Sequence, residues 1–258
     1  MGRSSLSLEA ANLDALVEEG LELLQSGDHG PEDVLRLCRH ERQRACANLL
    51  LYLDTPGFQA GLQRAALAYL FLLERRARLH DPDPYWLARS AGVPYLDALA
   101  ANDRALAAEV AAQSTATHTK DMEDEDDFAY FAALAELAAP QPDPARVEAA
   151  LEVFERATRG AASPRLDALR AIHARETDGF GAALGALLRT WRERVEEERS
   201  TGAADPYFAN VEAHVCVEGL ALVQLARWYG VATEAESPSL PGPALALAPP
   251  ASRPDLWS

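Results

Sequence analysis

Proline and glycine cut this chain into segments of 10–25 residues, and within them apolar residues recur every three or four positions. That spacing places them on one face of an α-helix. Leu13, Leu16, Val17, Gly20, Leu21 and Leu24 give a helix over 8–25, ended by Ser26-Gly27-Asp28. Pro31 suits a first helical position, and a second helix runs over 31–53 until Thr55-Pro56-Gly57. The broad apolar face of Leu62, Ala65, Ala66, Tyr69, Leu70, Leu72 and Leu73 puts a third, 58–79, near the centre of the core.

Beyond it, Asp81-Pro82-Asp83-Pro84 reads as a rigid connector and 84–91 as a short helix stopped by Gly92. Pro94 starts a helix that reaches about residue 113, with a bend at Asn102-Asp103, and 114–123 is a polar loop. Helices follow at 124–139, 145–159, 163–174, 177–199 and 207–229. Period-two alternation is scarce, β-branched residues are few and no Asn-Gly hairpin signal occurs. The fold class is all-α: one domain over residues 1–233, about nine or ten packed antiparallel helices in a helical-hairpin stack. No strict 34-residue repeat register is present.

From residue 234 the character changes. Pro238, Pro241, Pro243, Pro249, Pro250 and Pro254 exclude a continuing helix, so 234–258 is an extended tail. Leu240, Leu245, Leu247 and Trp257 offer anchors for docking it on the helices; a disordered tail is the alternative.

Charge is the second constraint. A formal −16 disfavours nonspecific binding to nucleic acid or anionic membrane. Residues 81–138 carry −9, and residues 37–80 carry +4 with seven arginines between Arg39 and Arg78. An intramolecular match between these two segments is the plain account of the positive one. The densest feature is Asp121 with Glu123-Asp124-Glu125-Asp126-Asp127. One or two carboxylates at a helix N-terminus interact favourably with its unpaired N–H groups, by about 0.3–1 kcal/mol each. Six exceed that use and repel one another. They therefore form either a solvated helix start or a surface for a basic protein, and we take Asp121, Glu123, Asp124, Glu125, Asp126, Asp127 and Tyr130 as the candidate partner-binding residues.

Motifs for catalysis or metal binding are missing. Magnesium-chelating acidic clusters of isoprenoid enzymes require a second acidic motif on a facing helix, which this chain lacks. His40-Glu41 continues as Arg42-Gln43-Arg44 and fails the zinc-protease pattern, while His214 and Cys216 are two apart and face different ways on a helix. No nucleophile elbow or phosphate loop occurs, and Gly179, Gly181 and Gly185 read as positions of close helix packing. The strip Trp191–Arg199 reads as a solvated helix surface with i,i+4 pairs. Cys38, Cys46 and Cys216 form no disulfide framework and read as small apolar residues in a reducing compartment. No cofactor and no metal are expected. No signal-peptide-like start and no apolar run of membrane-spanning length occurs, which gives the expectation of a cytoplasmic protein.

The last third adds a resemblance. Phe180-Gly181-Ala182-Ala183-Leu184 with Leu187-Leu188 and Trp191 resembles a Phe-x-x-Ala-Leu helix of the bacterial immunity 49 family. Glu218-Gly219-Leu220-Ala221-Leu222 with Leu225-Ala226-Arg227, then Tyr229-Gly230-Val231, is similar to that family's penultimate helix. Ser237-Pro238-Ser239-Leu240-Pro241 is similar to its closing Ser-Pro-Tyr-Leu-Pro element, with Ser239 in place of the tyrosine. The resemblance spans about residues 176–243. It implies a non-enzymatic α-helical antidote of a polymorphic toxin system used in interbacterial competition, which binds a cognate toxin, with nucleases among the targets. The family has no catalytic residues to carry over. Two other readings stand beside it: a helical scaffold for an endogenous basic partner, and an enzyme with an unrecognised helical active site.

Overall fold

A computed structural model of the chain describes residues 3–76, 84–202, 205–233 and 237–257. Among them, regular structure is helical apart from one isolated bridge between Ser237 and Leu240. The helices are α1 (Arg3–Ser26), α2 (Pro31–Tyr52), α3 (Thr55–Arg75), α4 (Pro94–Ala100), α5 (Arg104–Gln113), α6 (Glu125–Ala138), α7 (Pro144–Ala157), α8 (Pro164–Ala174), α9 (Thr177–Thr201), α10 (Pro206–Asn210), α11 (Val217–Trp228) and α12 (Gly242–Leu245). The all-α expectation holds. Where a short helix was expected at 84–91, two 3₁₀ turns stand at Pro84–Leu87 and Arg89–Ala91. Residues 81–83 of the expected connector and 77–79 of the expected third helix lie outside the described residues.

Helix starts follow local chemistry. Proline occupies one of the first two helical positions of α2, α3, α4, α7, α8 and α10, where its missing N–H removes no intrahelical bond. The side chains of Asp54, Asp103, Asp143, Ser163 and Asp205 each accept from a backbone N–H of the turn that follows.

Helices α1, α2 and α3 pack as successive hairpins, α3 covers α4 and α5, and α6 to α9 form a second run of neighbours. Helix α4 sits between α3 and α11, and all seven of its residues are buried. A helix buried on every side needs apolar residues all round. The sequence Pro-Tyr-Leu-Asp-Ala-Leu-Ala meets that demand except at Asp97. One continuous apolar cluster, running from Ala10 in α1 to Leu256 after α12, fills the interior.

Two expectations about segments change. The helix 94–113 is two helices: Asn102 takes φ +58° and Asp103 caps α5 through Leu106 N at 2.9 Å, so the expected bend is a full break. The helix 207–229 is also interrupted, by the 3₁₀ turn Glu212–His214 and an extended Val215. Here the Cys216 N–H donates to the Ser239 carbonyl of the tail at 2.8 Å, a bond that a continuous helix would have spent on itself.

The tail is docked. Leu240, Ala244 and Leu247 are buried, the Asn102 amide donates to the Leu247 carbonyl at 3.0 Å, and that of Gln59 donates to the Ala248 carbonyl at 2.7 Å. Arg253 bridges Asp103 at 3.2 Å and Glu109 at 2.9 Å, and Trp257 meets Phe71 edge-on at 5.4 Å. Of the glycines expected at close packing, Gly179 is one, a Cβ there standing 3.4 Å from Ala171 of α8, and tighter approaches occur elsewhere. A Cβ on Gly219 would stand 3.0 Å from Leu240 and one on Gly61 would stand 2.7 Å from Ala45, whereas Gly181 faces open space.

Candidate partner-binding surface

The polar loop ahead of α6 ends in the acidic block, and its six carboxylates divide into two kinds. Glu123 is structural: its two oxygens accept from Thr119 N and Ser90 N, both at 2.9 Å, pinning the loop to the 3₁₀ turn at Arg89–Ala91. Asp127 is half-buried and accepts from Arg165 at 2.8 Å. Burial pushes its pKa up, Arg165 opposes this, and the neighbouring Asp126 and Asp124 push it further up. Asp121, Asp124, Glu125 and Asp126 face solvent. Of these, Glu125 reaches the exposed Arg159 at 3.5 Å, a screened pair of little energetic consequence.

Tyr130 requires correction as a contact residue. It is fully buried between Phe131 and Phe154, with ring centroids at 5.3 and 5.8 Å, and the Arg165 guanidinium lies 4.6 Å from its ring. It stands one turn further into α6 than Asp126, past the exposed helix start, where Phe131, Phe154 and Arg165 cover it.

Buried ion pairs lie beneath the block. Arg42 grips Asp97 through two bonds of 2.6 Å and reaches Glu212 at 3.5 Å. Arg165 grips Glu218 at 2.6 and 3.1 Å while also holding Asp127. Each arginine is thus clasped by two carboxylates. Burial would lower the pKa of either guanidinium, but the acids outweigh it and keep both charged. Burial pushes Asp97 up against the pull of Arg42. The inverse arrangement occurs at buried Glu41, which Arg44 meets at 2.7 Å and Arg64 at 3.3 Å. Among the described residues no arginine between Arg39 and Arg76 pairs with residues 121–127, so the positive segment is matched inside the fold and not by the block.

The Arg42 and Arg165 clusters floor a groove. At one end a depression of about 300 Å³ lies against Leu35, Arg39, Tyr85, Trp86 and Val93. It continues through about 190 Å³ over Arg42, Asp127, Arg165, Trp191, Glu212 and Glu218. It ends in about 330 Å³ beside Asp126, Ser163, Leu187, Trp191 and Arg194. Adjacent sections share lining residues, and Asp126 and Asp127 form one bank. Trp191, expected on a solvated strip, instead packs on Phe208 at 5.7 Å and carries Arg194 over its ring at 4.5 Å; the expected i,i+4 pairing survives as Arg194–Glu198 at 3.5 Å.

Arg42, Asp97, Arg165, Glu212 and Glu218 did not stand out in the sequence as site residues. A signal was present: each of these acids stands within an apolar run, and a charge in such a run must find a partner. The three cysteines are buried with raised thiol pKa values, Cys216 pushed up to about 12, and so are poor nucleophiles. No group of three His, Cys, Asp or Glu among the described residues is placed to hold a metal ion, and no described helix is long and apolar enough to cross a membrane.

Compared with family models, the chain matches that described as Immunity protein 49 over residues 34–243. No curated protein and no solved structure matches it.

Proposed function

This chain belongs to the immunity protein 49 family, whose description implies binding of a cognate toxin, and we propose that its toxin is a nuclease silenced by occlusion of a basic cleft. Asp121, Asp124, Glu125 and Asp126 supply the charge that takes the place of nucleic-acid phosphates. The observation that carries this reading is that these four carboxylates are spare. Glu123 and Asp127 serve the fold, while the other four add repulsion and no internal bond stronger than the exposed Glu125–Arg159 pair. A nuclease cleft, lined with Lys and Arg to bind phosphate, is the complementary surface. Opposed potentials of this kind speed association and fix orientation. The protein acts by binding in the cytoplasm, without catalysis.

The test is the variant Asp121→Asn/Asp124→Asn/Glu125→Gln/Asp126→Asn against toxin domains encoded beside this gene. Growth rescue by the unaltered chain identifies the toxin. With that toxin the variant is expected to bind about ten- to a hundredfold more weakly, chiefly through slower association, with a shallower dependence on salt. Unchanged affinity and unchanged salt dependence would remove the four residues from the mechanism, and a toxin without a nucleic-acid substrate would refute the nuclease assignment.

A further inference from the structure

The groove has properties that the acidic block alone lacks. Its walls are rich in Trp, Tyr and Arg, the residues that dominate binding energy at protein interfaces. Tyr85 and Val93 are large apolar side chains exposed at its mouth, 50% and 40% respectively, and Met122 stands exposed beside Glu123, which is bonded to the groove residue Ser90. Its floor is rigid. Arg42 and Arg165 are each held by bidentate bonds to one carboxylate and by contact with a second, so these side chains lose little freedom when a partner arrives.

Charge selects the occupant. In the middle section Arg42 faces Asp97 and Glu212, and Arg165 faces Asp127 and Glu218, so each cluster keeps one uncompensated negative charge. The Asp126 bank adds to it. Arg39 stands at one far end, while Arg194 lines both the middle section and the other end, its charge already met by Glu198 and laid over the Trp191 ring. The centre is therefore negative, concave and edged by apolar side chains, which fits a protruding protein loop that carries a Lys or Arg. An anionic small molecule would meet Asp127, Glu212 and Glu218 head-on.

We propose that the groove over Arg42 and Arg165, walled by Trp86, Val93 and Trp191, seats a cationic loop of the toxin and is the anchoring part of the interface. This rests on the reading that the chain binds a toxin. The acidic rim then attracts the partner and the groove holds it, so the two surfaces govern different rate constants: association at the rim and dissociation in the groove.

Val93 tests this directly because it is exposed at the mouth and its backbone is ordinary helical, φ −49°, ψ −34°. The probe is the neighbouring toxin domain that the unaltered chain neutralises. Val93→Arg introduces bulk and a repelling cation and is expected to weaken binding about a hundredfold, mainly through faster dissociation. Val93→Glu introduces similar bulk with an attracting charge and is expected to cost less than a tenth of that loss. Trp86→Ala is expected to lose about tenfold, and circular dichroism and thermal melting of each variant exclude misfolding as the cause. Equal losses for Arg and Glu overturn the cationic occupant. Wild-type affinity in all three variants overturns the groove while leaving the immunity reading intact. Conversion of a self-associated form to monomer by Val93→Arg, with toxin binding unchanged, assigns the groove to a second copy and overturns the proposal. Failure of the unaltered chain to bind or rescue against any neighbouring toxin sinks the immunity reading itself, and the proposal with it.

Discussion

Asp97 in α4 and Asp126 in α6 are the same residue type on helices of one molecule, and their surroundings are opposite. Asp97 is alone among apolar neighbours, fully buried and gripped by Arg42 at 2.6 Å. Asp126 is one of a crowd, exposed, and borders the groove without an ion pair. By sequence the crowd draws the eye and the singleton passes for noise. In the structure the singleton is what the fold depends on. The exposed members of the crowd add to the fold only the favourable field at the start of α6 and the screened Glu125–Arg159 pair. An acid buried alone requires an internal cation, whereas a surplus of exposed acids leaves charge for something outside the molecule.

The sharpest way to break this comparison is Arg42→Ala, which leaves Asp97 and Glu212 buried without their cation. Removing one partner of a buried pair destabilises by about 3–5 kcal/mol. For a chain of this length that lowers Tm by about 10 °C or more, readable by thermal melting or urea unfolding. The double variant Arg42→Met/Asp97→Leu is expected to recover much of the loss, since apolar residues of similar volume remove the charge that needed pairing. A single variant as stable as the parent would show that water reaches Asp97, and the contrast with Asp126 would disappear.

Arg165 lies between the two extremes and sharpens the comparison. It holds the mostly buried Glu218 with two bonds and the half-buried Asp127 with one, and its own side chain is about a third exposed. Water can replace part of what it provides. Arg165→Gln is expected to destabilise by about 1–2 kcal/mol, less than Arg42→Ala, with urea unfolding as the readout. If the two variants proved equal, exposure would not be what separates structural acids from spare ones.

How much of this was legible in the sequence follows the same division. Helix starts were readable because they depend on neighbours: Pro31, Pro94 and the aspartate caps act within three residues. At Asn102-Asp103 a bend was readable for the same reason, though not the full break between α4 and α5. The interruption at 211–216 was not, because it depends on a bond from Cys216 to Ser239, 23 positions away. Docking of the tail was legible only as one of two options. Its deciding contacts, such as Gln59 to Ala248 and Arg253 to Asp103, join residues more than 140 positions apart. The candidate site divides likewise. Composition located the exposed acids but placed Tyr130 among them, because a run of neighbours does not say where along the helix the exposed start gives way to the core. The groove, assembled from six helices and three 3₁₀ turns, left only isolated charges in apolar runs as its trace.

The smallest expected effect isolates the crowding itself. Asp127 is a bridge between the two regions: burial raises its pKa, Arg165 opposes, and Asp126 and Asp124 add to the rise. A carboxyl whose folded pKa is raised binds more protons folded than unfolded between its unfolded and folded values. Its contribution to stability therefore grows as pH falls through that window, and at neutral pH its ionisation counts against the fold. Asp124→Asn/Asp126→Asn removes two of the raising charges. A carbon-detected NMR titration is expected to show the Asp127 pKa moving down toward the ordinary carboxylate value. Urea unfolding at pH 7 is expected to show stability unchanged or higher by a few tenths of a kcal/mol, the usual scale for surface substitutions. An upward move in that pKa, or a loss of stability beyond about 1 kcal/mol, would mean that Asp124 and Asp126 make internal contacts on which α6 relies. The charge at the start of α6 would then belong to the fold, like that of Asp97, and would not be free for a toxin.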